Sequence, residues 1–138
     1  MFISISLPNL HKLNNFIGKI GKSSTSFRYF KSRKPEDAIK FHKHTLLFYK
    51  DSEVIGYGHL DLDSNDNKLW LGICVIDKYC GMGYGKIIME KLISLQDEDI
   101  YLSVDRSNLP GVNLYKKFGF KTIDSNEKYF IMKRTHEV

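Results

Sequence analysis

An apolar run from Leu69 to Ile76 leads into three closely spaced glycines, Gly81, Gly83 and Gly85, which open directly into a segment with helical spacing. Few local structures satisfy that order. The run is strand-like, and Ile87, Ile88, Leu92 and Leu95 recur at the intervals of a helix that packs one face on a sheet. Glycine tolerates positive φ and lets a ligand approach the main chain. The free N–H groups of a helix's first turn, with the positive end of its dipole, favour an anion there. Strand, glycine loop and helix therefore predict an anion cradle fixed to a core.

The rest of the chain supplies that core. Phe2, Ile3, Ile5 and Leu7 form a strand-like run closed by Pro8, and Asn9 starts a helix bearing Leu10, Leu13, Phe16, Ile17 and Ile20, ended by Gly21. Lys22 to Ser26 reads as a polar turn, and Pro35 opens a short helix with Ile39 and Phe41 directed inward. His44 to Lys50, Val54 to Leu62 and the strand at Leu69 make an antiparallel meander. Gly56 and Gly58 in its middle strand mark a bulge or a ligand lying against the backbone. Ile100 to Val104 is another strand. Asn108 to Phe118 is a helix with Pro110 in its first turn and Gly119 as its cap, and Phe120 to Ile123 and Lys128 to Met132 form a terminal strand pair. The expected order is β-α-α-β-β-β-α-β-α-β-β.

Composition narrows the function classes. The 138 residues, 42% hydrophobic and 27% charged, fit a single domain spanning residues 1–138. A net charge of +5 suits a polyphosphate partner, but the basic residues are dispersed and only Lys31, Arg33 and Lys34 group together, so no nucleic-acid partner is expected. Met1 to Leu7 is too short for a signal-peptide core or a membrane span, which predicts a cytoplasmic protein with no membrane partner. Cys74 and Cys80 are expected to be reduced thiols. His42 and His44 lack a third ligand nearby, and no metal is expected.

Two motifs give the chain a family likeness. Cys80-Gly81-Met82-Gly83-Tyr84-Gly85 resembles the pyrophosphate motif of the GCN5-related N-acetyltransferase (GNAT) superfamily, with both required glycines present and Cys80 where Arg or Gln is usual. The segment from Asn108 through Leu114-Tyr115 to Gly119-Phe120 resembles the family's second signature, with Gly111 where Ala is usual. The resemblance implies an α/β (α+β) fold: a mixed, mostly antiparallel sheet of about six to seven strands with a splayed parallel pair, flanked by about four helices. It implies acetyl coenzyme A as co-substrate, its pantetheine bonded to the main chain of Ile73, Cys74, Val75 and Ile76. Its pyrophosphate would sit on Cys80, Gly81, Met82, Gly83, Tyr84, Gly85 and Lys86, with Asn108 and Tyr115 nearby. Terminal strands in such folds often pair across dimers, so a homodimer is among the expectations.

Acetyl transfer to an amine needs a neutral nucleophile, a polarised thioester carbonyl and a proton for the departing thiolate. By analogy with the family, the N–H of Val75 polarises the carbonyl and Tyr115 supplies the proton; the alternative for Tyr115 is a core tyrosine. Alternation along the middle strand places Tyr57, His59, Asp61 and Asp63 on one face. His59 is the candidate base, with Asp61 orienting it or holding the amine; both could instead be structural strand residues. A covalent acetyl-Cys74 is less expected than direct transfer. Phe27, Arg28 and Tyr29 either line the acceptor pocket or pack a loop on the core. The expected acceptor is a small-molecule primary amine, with a nucleotide-linked amino sugar as one candidate on charge alone, because Arg28, Arg33 and Lys34 could meet its phosphates. The alternatives are a protein or peptide acceptor, or a non-catalytic acyl coenzyme A module.

Overall fold

The computed structural model describes residues 1–21 and 27–136, so the polar turn expected at 22–26 lies outside the described residues. Its framework is a seven-stranded sheet. In chain order the elements are β1 (Phe2–Ser4), α1 (Leu10–Lys19), α2 (Pro35–Ala38), β2 (His42–Lys50), β3 (Glu53–Asp63) and β4 (Lys68–Val75). They continue with α3 (Tyr84–Ser94), β5 (Ile100–Asp105), α4 (Leu109–Lys117), β6 (Lys121–Ser125) and β7 (Tyr129–Arg134). The strands lie side by side as β1-β2-β3-β4-β5-β7-β6, and every neighbouring pair is antiparallel except β4 with β5. The mixed sheet, its parallel pair and the four α-helices among the described residues agree with the sequence expectation.

Strand alternation divides the core into two layers. On one face Leu46, Phe48, Ile55, Leu60 and Leu71 pack with Ile88, Met89 and Leu92 of α3 and with Val112 and Tyr115 of α4. On the other, Leu47, Val54, Tyr57 and Cys74 pack with Leu13 and Phe16 of α1. Each large apolar side chain removed from water in this way contributes about 1.5–3 kcal/mol. Met89 belongs to the buried stripe of α3, whereas Ile87, expected there, is 40% exposed. Phe41 also departs from expectation. It ends a short 3-10 turn after α2 and is 62% exposed.

Gly56 and Gly58 serve helix packing. A Cβ at Gly58 would lie 2.8 Å from both Ile88 and Leu92, and one at Gly56 would lie 2.7 Å from Ile88. The bare backbone of β3 thus brings α3 down onto the sheet, which places the glycine loop at the end of β4. A bulge does occur beside Gly56, where the β2–β3 register shifts between Phe48 and Tyr49. The β3–β4 register is regular from Gly56 to Asp63, so Tyr57, His59, Asp61 and Asp63 share a face as their alternation predicts. No helix among the described residues is long and apolar enough to cross a membrane.

Candidate active site

The parallel pair is joined at only two positions, Leu69 with Ile100 and Trp70 with Tyr101. Both strands then run on, β4 to Val75 and β5 to Asp105, with no further pairing between them. A gap opens through the sheet. The Ile76 N–H donates to the Ile55 carbonyl at 2.9 Å on the β3 side. Antiparallel alternation therefore turns the main-chain groups of Leu71, Ile73 and Val75 toward the gap and those of Gly72 and Cys74 toward β3. Of the four residues expected to meet pantetheine through their backbone, Ile73 and Val75 have the required orientation. The N–H of Ile76 is already committed to the sheet.

Beyond β4 the chain passes through Gly81 at φ 82° and Gly83 at φ 86°, left-handed conformations that cost a side-chain-bearing residue about 1–2 kcal/mol. Gly83 is the N-cap of α3 and, lacking a side chain, leaves the first-turn N–H groups uncapped. Lys86 lies in that first turn, and the exposed Met82 side chain flanks the loop. Tyr84 turns its ring toward Phe48 and Tyr79. The Cys80 thiol folds back onto the Val75 and Ile76 carbonyls, 3.7 Å from each. Gap and loop together fit a ligand with an extended amide-bearing chain and a polyphosphate end.

A cleft of about 540 Å³ occupies the gap, lined from the α1 face by Tyr29, His59, Asp61 and Gly72 and from the α4 side by Asn108 and Tyr115. His59 is 2% exposed, and its Nδ1 lies 2.6 Å from the Tyr57 hydroxyl. Burial holds its imidazole well below the usual pKa, with the neighbouring His42 adding to the effect, so the ring is neutral. The ring lies across Gly72, where a Cβ would stand 2.6 Å from Nε2. Tyr29 donates its hydroxyl proton to Asp61 Oδ2 at 2.9 Å, and the Tyr29 hydroxyl oxygen lies 2.8 Å from His42 Nε2. Burial and the Asp61 charge raise the Tyr29 pKa, which keeps that donor protonated.

At the other end of the cleft, burial pushes the Tyr115 hydroxyl up to about 12, so it too is a proton donor at neutral pH. Burial likewise pushes the Cys74 thiol up to about 12, which withholds the thiolate that a covalent step would need. The Asn108 side chain accepts a hydrogen bond from the Gly111 N–H at 3.1 Å and caps α4. A Cβ at 111 would stand 2.6 Å from the Asn108 amide, so glycine in place of alanine makes room for that cap.

Arg28 grips Asp105 with both terminal guanidinium nitrogens, at 2.8 and 2.9 Å. The pairing holds the Asp105 carboxyl below its usual range. Phe27 packs its ring on Tyr57 at 5.6 Å, so the aromatic loop is both a core element and a cleft wall. Asp105, Gly72 and Trp70 also line the cleft and were not singled out from the sequence. Gly72 carried a usable signal, an isolated glycine inside a strand. Asp105 carried none, because its partner lies 77 residues away.

The profile of the acetyltransferase (GNAT) family matches residues 9–120. A probable spermine N(1)-acetyltransferase of Bacillus subtilis subsp. natto is 31% identical over 114 residues, covering 72% of this chain and 75% of that protein. An N-alpha-acetyltransferase of Sulfurisphaera tokodaii is 30% identical over 96 residues, covering 58% of each chain. In three dimensions the fold is similar to that of the PaiA N-acetyltransferase from Thermoplasma acidophilum in complex with coenzyme A, with a TM-score of 0.70 and 20% identity over 98% of each chain. With a splayed parallel pair, a glycine loop at the head of α3 and a family match over most of its length, the chain belongs to the GNAT acetyltransferase family and is an N-acetyltransferase.

Proposed function

We propose that the protein transfers the acetyl group of acetyl coenzyme A to a primary amine of a small polycation, with a di- or polyamine as the acceptor class. The carrying observation is the placement of Asp61 and Asp63 in one cleft where Arg28 already holds the Asp105 carboxylate, which leaves these two carboxylates to meet positive charge. The similarity to a protein named as a probable spermine acetyltransferase supports the same class. A nucleotide-linked amino sugar is the less favoured acceptor in this reading, because two of the three basic residues that suggested it have partners within the protein. Arg28 holds Asp105, and Arg33 lies 4.4 Å from the Tyr29 ring centre and donates to the Tyr29 carbonyl at 3.1 Å.

In this reading the amides of Gly81 to Lys86 hold the pyrophosphate of acetyl coenzyme A, and the gap-facing groups of Ile73 and Val75 hold its pantetheine. The co-substrate brings a thioester whose acyl carbon accepts the nucleophile. Asp61 binds the acceptor's ammonium group and takes its proton, which passes to water in the open cleft. The N–H of Val75 polarises the thioester carbonyl as the amine nitrogen forms its bond to carbon and the carbon–sulfur bond breaks. Tyr115 gives its proton to the departing thiolate, and the second proton that the amine nitrogen sheds as the amide forms returns through cleft water to restore the Tyr115 hydroxyl. His59, neutral and tied at Nδ1, shapes the wall beside Asp61.

The Sulfurisphaera relative's name supports a second reading, transfer to a peptide N-terminus. A panel of polyamines, a nucleotide-linked amino sugar, free amino acids and short peptides, assayed by thiol release from acetyl coenzyme A, separates the two. The polyamines are expected to turn over fastest. Fastest turnover with a peptide or the amino sugar would overturn the proposal. Cofactor binding with no transfer to any amine would point to a non-catalytic acyl coenzyme A module.

A further inference from the structure

Behind Asp61, three side chains from two segments of the chain meet in sequence. Tyr29 comes from the loop before α2, while His42 and Thr45 lie at the start of β2. Thr45 Oγ1 lies 2.8 Å from His42 Nδ1, His42 Nε2 lies 2.8 Å from the Tyr29 oxygen, and that hydroxyl donates to Asp61 Oδ2 at 2.9 Å. Thr45 is 4% exposed.

The donors and acceptors allow one direction. Tyr29 has a single hydroxyl proton and gives it to the carboxylate, so its oxygen must accept from His42 Nε2–H. Burial pushes the His42 pKa down to about 4, leaving the ring neutral, so Nδ1 keeps its lone pair and accepts the Thr45 hydroxyl proton. Reversal would turn a Tyr29 lone pair toward the Asp61 carboxylate. The chain is also clamped laterally, because the His59 ring lies 4.5 Å from the His42 ring and 4.4 Å from that of Tyr29.

We propose that Thr45 and His42 are positioning residues that act through Tyr29, fixing it as a one-way donor to Asp61 Oδ2 so that Oδ1 is left to receive the acceptor ammonium. This rests on the reading that Asp61 holds the acceptor amine. The four residues form a polar strut from the interior of the sheet to the cleft, and acceptor affinity depends on a threonine that never touches the substrate.

Two measurements test it. Long-range proton–nitrogen NMR correlation of the imidazoles at neutral pH should show His42 protonated at Nε2 and bare at Nδ1; an Nδ1–H tautomer would overturn the proposal whatever the kinetics. In steady-state assays Thr45→Val, which keeps the shape but removes the donor, should raise the KM for the amine about tenfold, the effect of losing one hydrogen bond coupled to a charge. The kcat and the KM for acetyl coenzyme A should stay within about twofold on the same basis, and Thr45→Ser should restore the wild-type amine KM. Thr45→Val should add little in a Tyr29→Phe background, because both break one chain. If Asp61→Asn raises the amine KM while Thr45→Val leaves it unchanged, the strut is refuted and the role of Asp61 stands. If Asp61→Asn leaves the amine KM unchanged, the role of Asp61 fails, and the tautomer decides the strut independently.

Discussion

The Tyr115 hydroxyl, pushed by burial to a pKa of about 12, keeps its proton at neutral pH and lies where the cleft meets α4. Tyr115→Phe should lower kcat about a hundredfold or more, the usual size of a lost general acid, while the KM for acetyl coenzyme A changes little. Unchanged turnover at saturation would remove Tyr115 from the reaction. Gly72 offers a second single-residue test. Its missing side chain makes room for the His59 ring, which Tyr57, Tyr29 and His42 hold in place. Gly72→Ala should cost about 1–3 kcal/mol of stability by overpacking and should raise the amine KM, read by thermal unfolding and steady-state kinetics. Tyr115, His59 and Asp61 were legible in the sequence as cleft residues because motif and strand alternation locate them. Their partners were not. The Arg28–Asp105 pair and the Tyr29–His42–Thr45 chain join distant segments, and no local spacing encodes such contacts.

At the scale of elements, β4, the glycine loop and α3 act as one unit. Gly83 at φ 86° starts α3 without a side-chain cap, which leaves its amides available to phosphate. Gly83→Ala should raise the KM for acetyl coenzyme A and cost about 1–2 kcal/mol of stability through the left-handed backbone. Its amine KM, measured at saturating acetyl coenzyme A, should be close to wild type, and an equal rise in both would contradict a local role. The order of strands and helices was legible because hydrophobic period, proline and glycine agree along most of the chain. The buried stripe of α3 was less so. Ile87, Ile88 and Leu92 all fit a helical repeat, but only contact with Gly56 and Gly58 selects Ile88 and Leu92 and leaves Ile87 outside.

The molecule as a whole holds two neutral histidines at its cleft, the buried His59 and the part-buried His42, and that arrangement makes stability depend on pH. His42 titrates at about 4 in the folded state and near 6.5 when unfolded, and His59 is depressed in the same direction. Between those values the unfolded chain binds more protons, so stability rises with pH through that window and falls on acidification. Above the unfolded value both states are neutral and this dependence vanishes. Denaturant unfolding from pH 7 to pH 5 should show stability decreasing, with each histidine contributing a slope of up to about 1.4 kcal/mol per pH unit. His42→Phe should flatten that slope, and an unchanged slope would contradict a neutral, part-buried His42. In the proposed function the same cleft sets the acceptor, with Asp61 and Asp63 placed to hold positive charge beside the Arg28–Asp105 pair. The most direct measurement is kcat/KM for 1,4-diaminobutane against butylamine under saturating acetyl coenzyme A, two acceptors alike in the reacting amine and different in the second charge. A preference of about tenfold or more for the diamine, roughly 1.4 kcal/mol, is the predicted result; equal values, or a preference for the monoamine, would contradict a cleft built for a polycation.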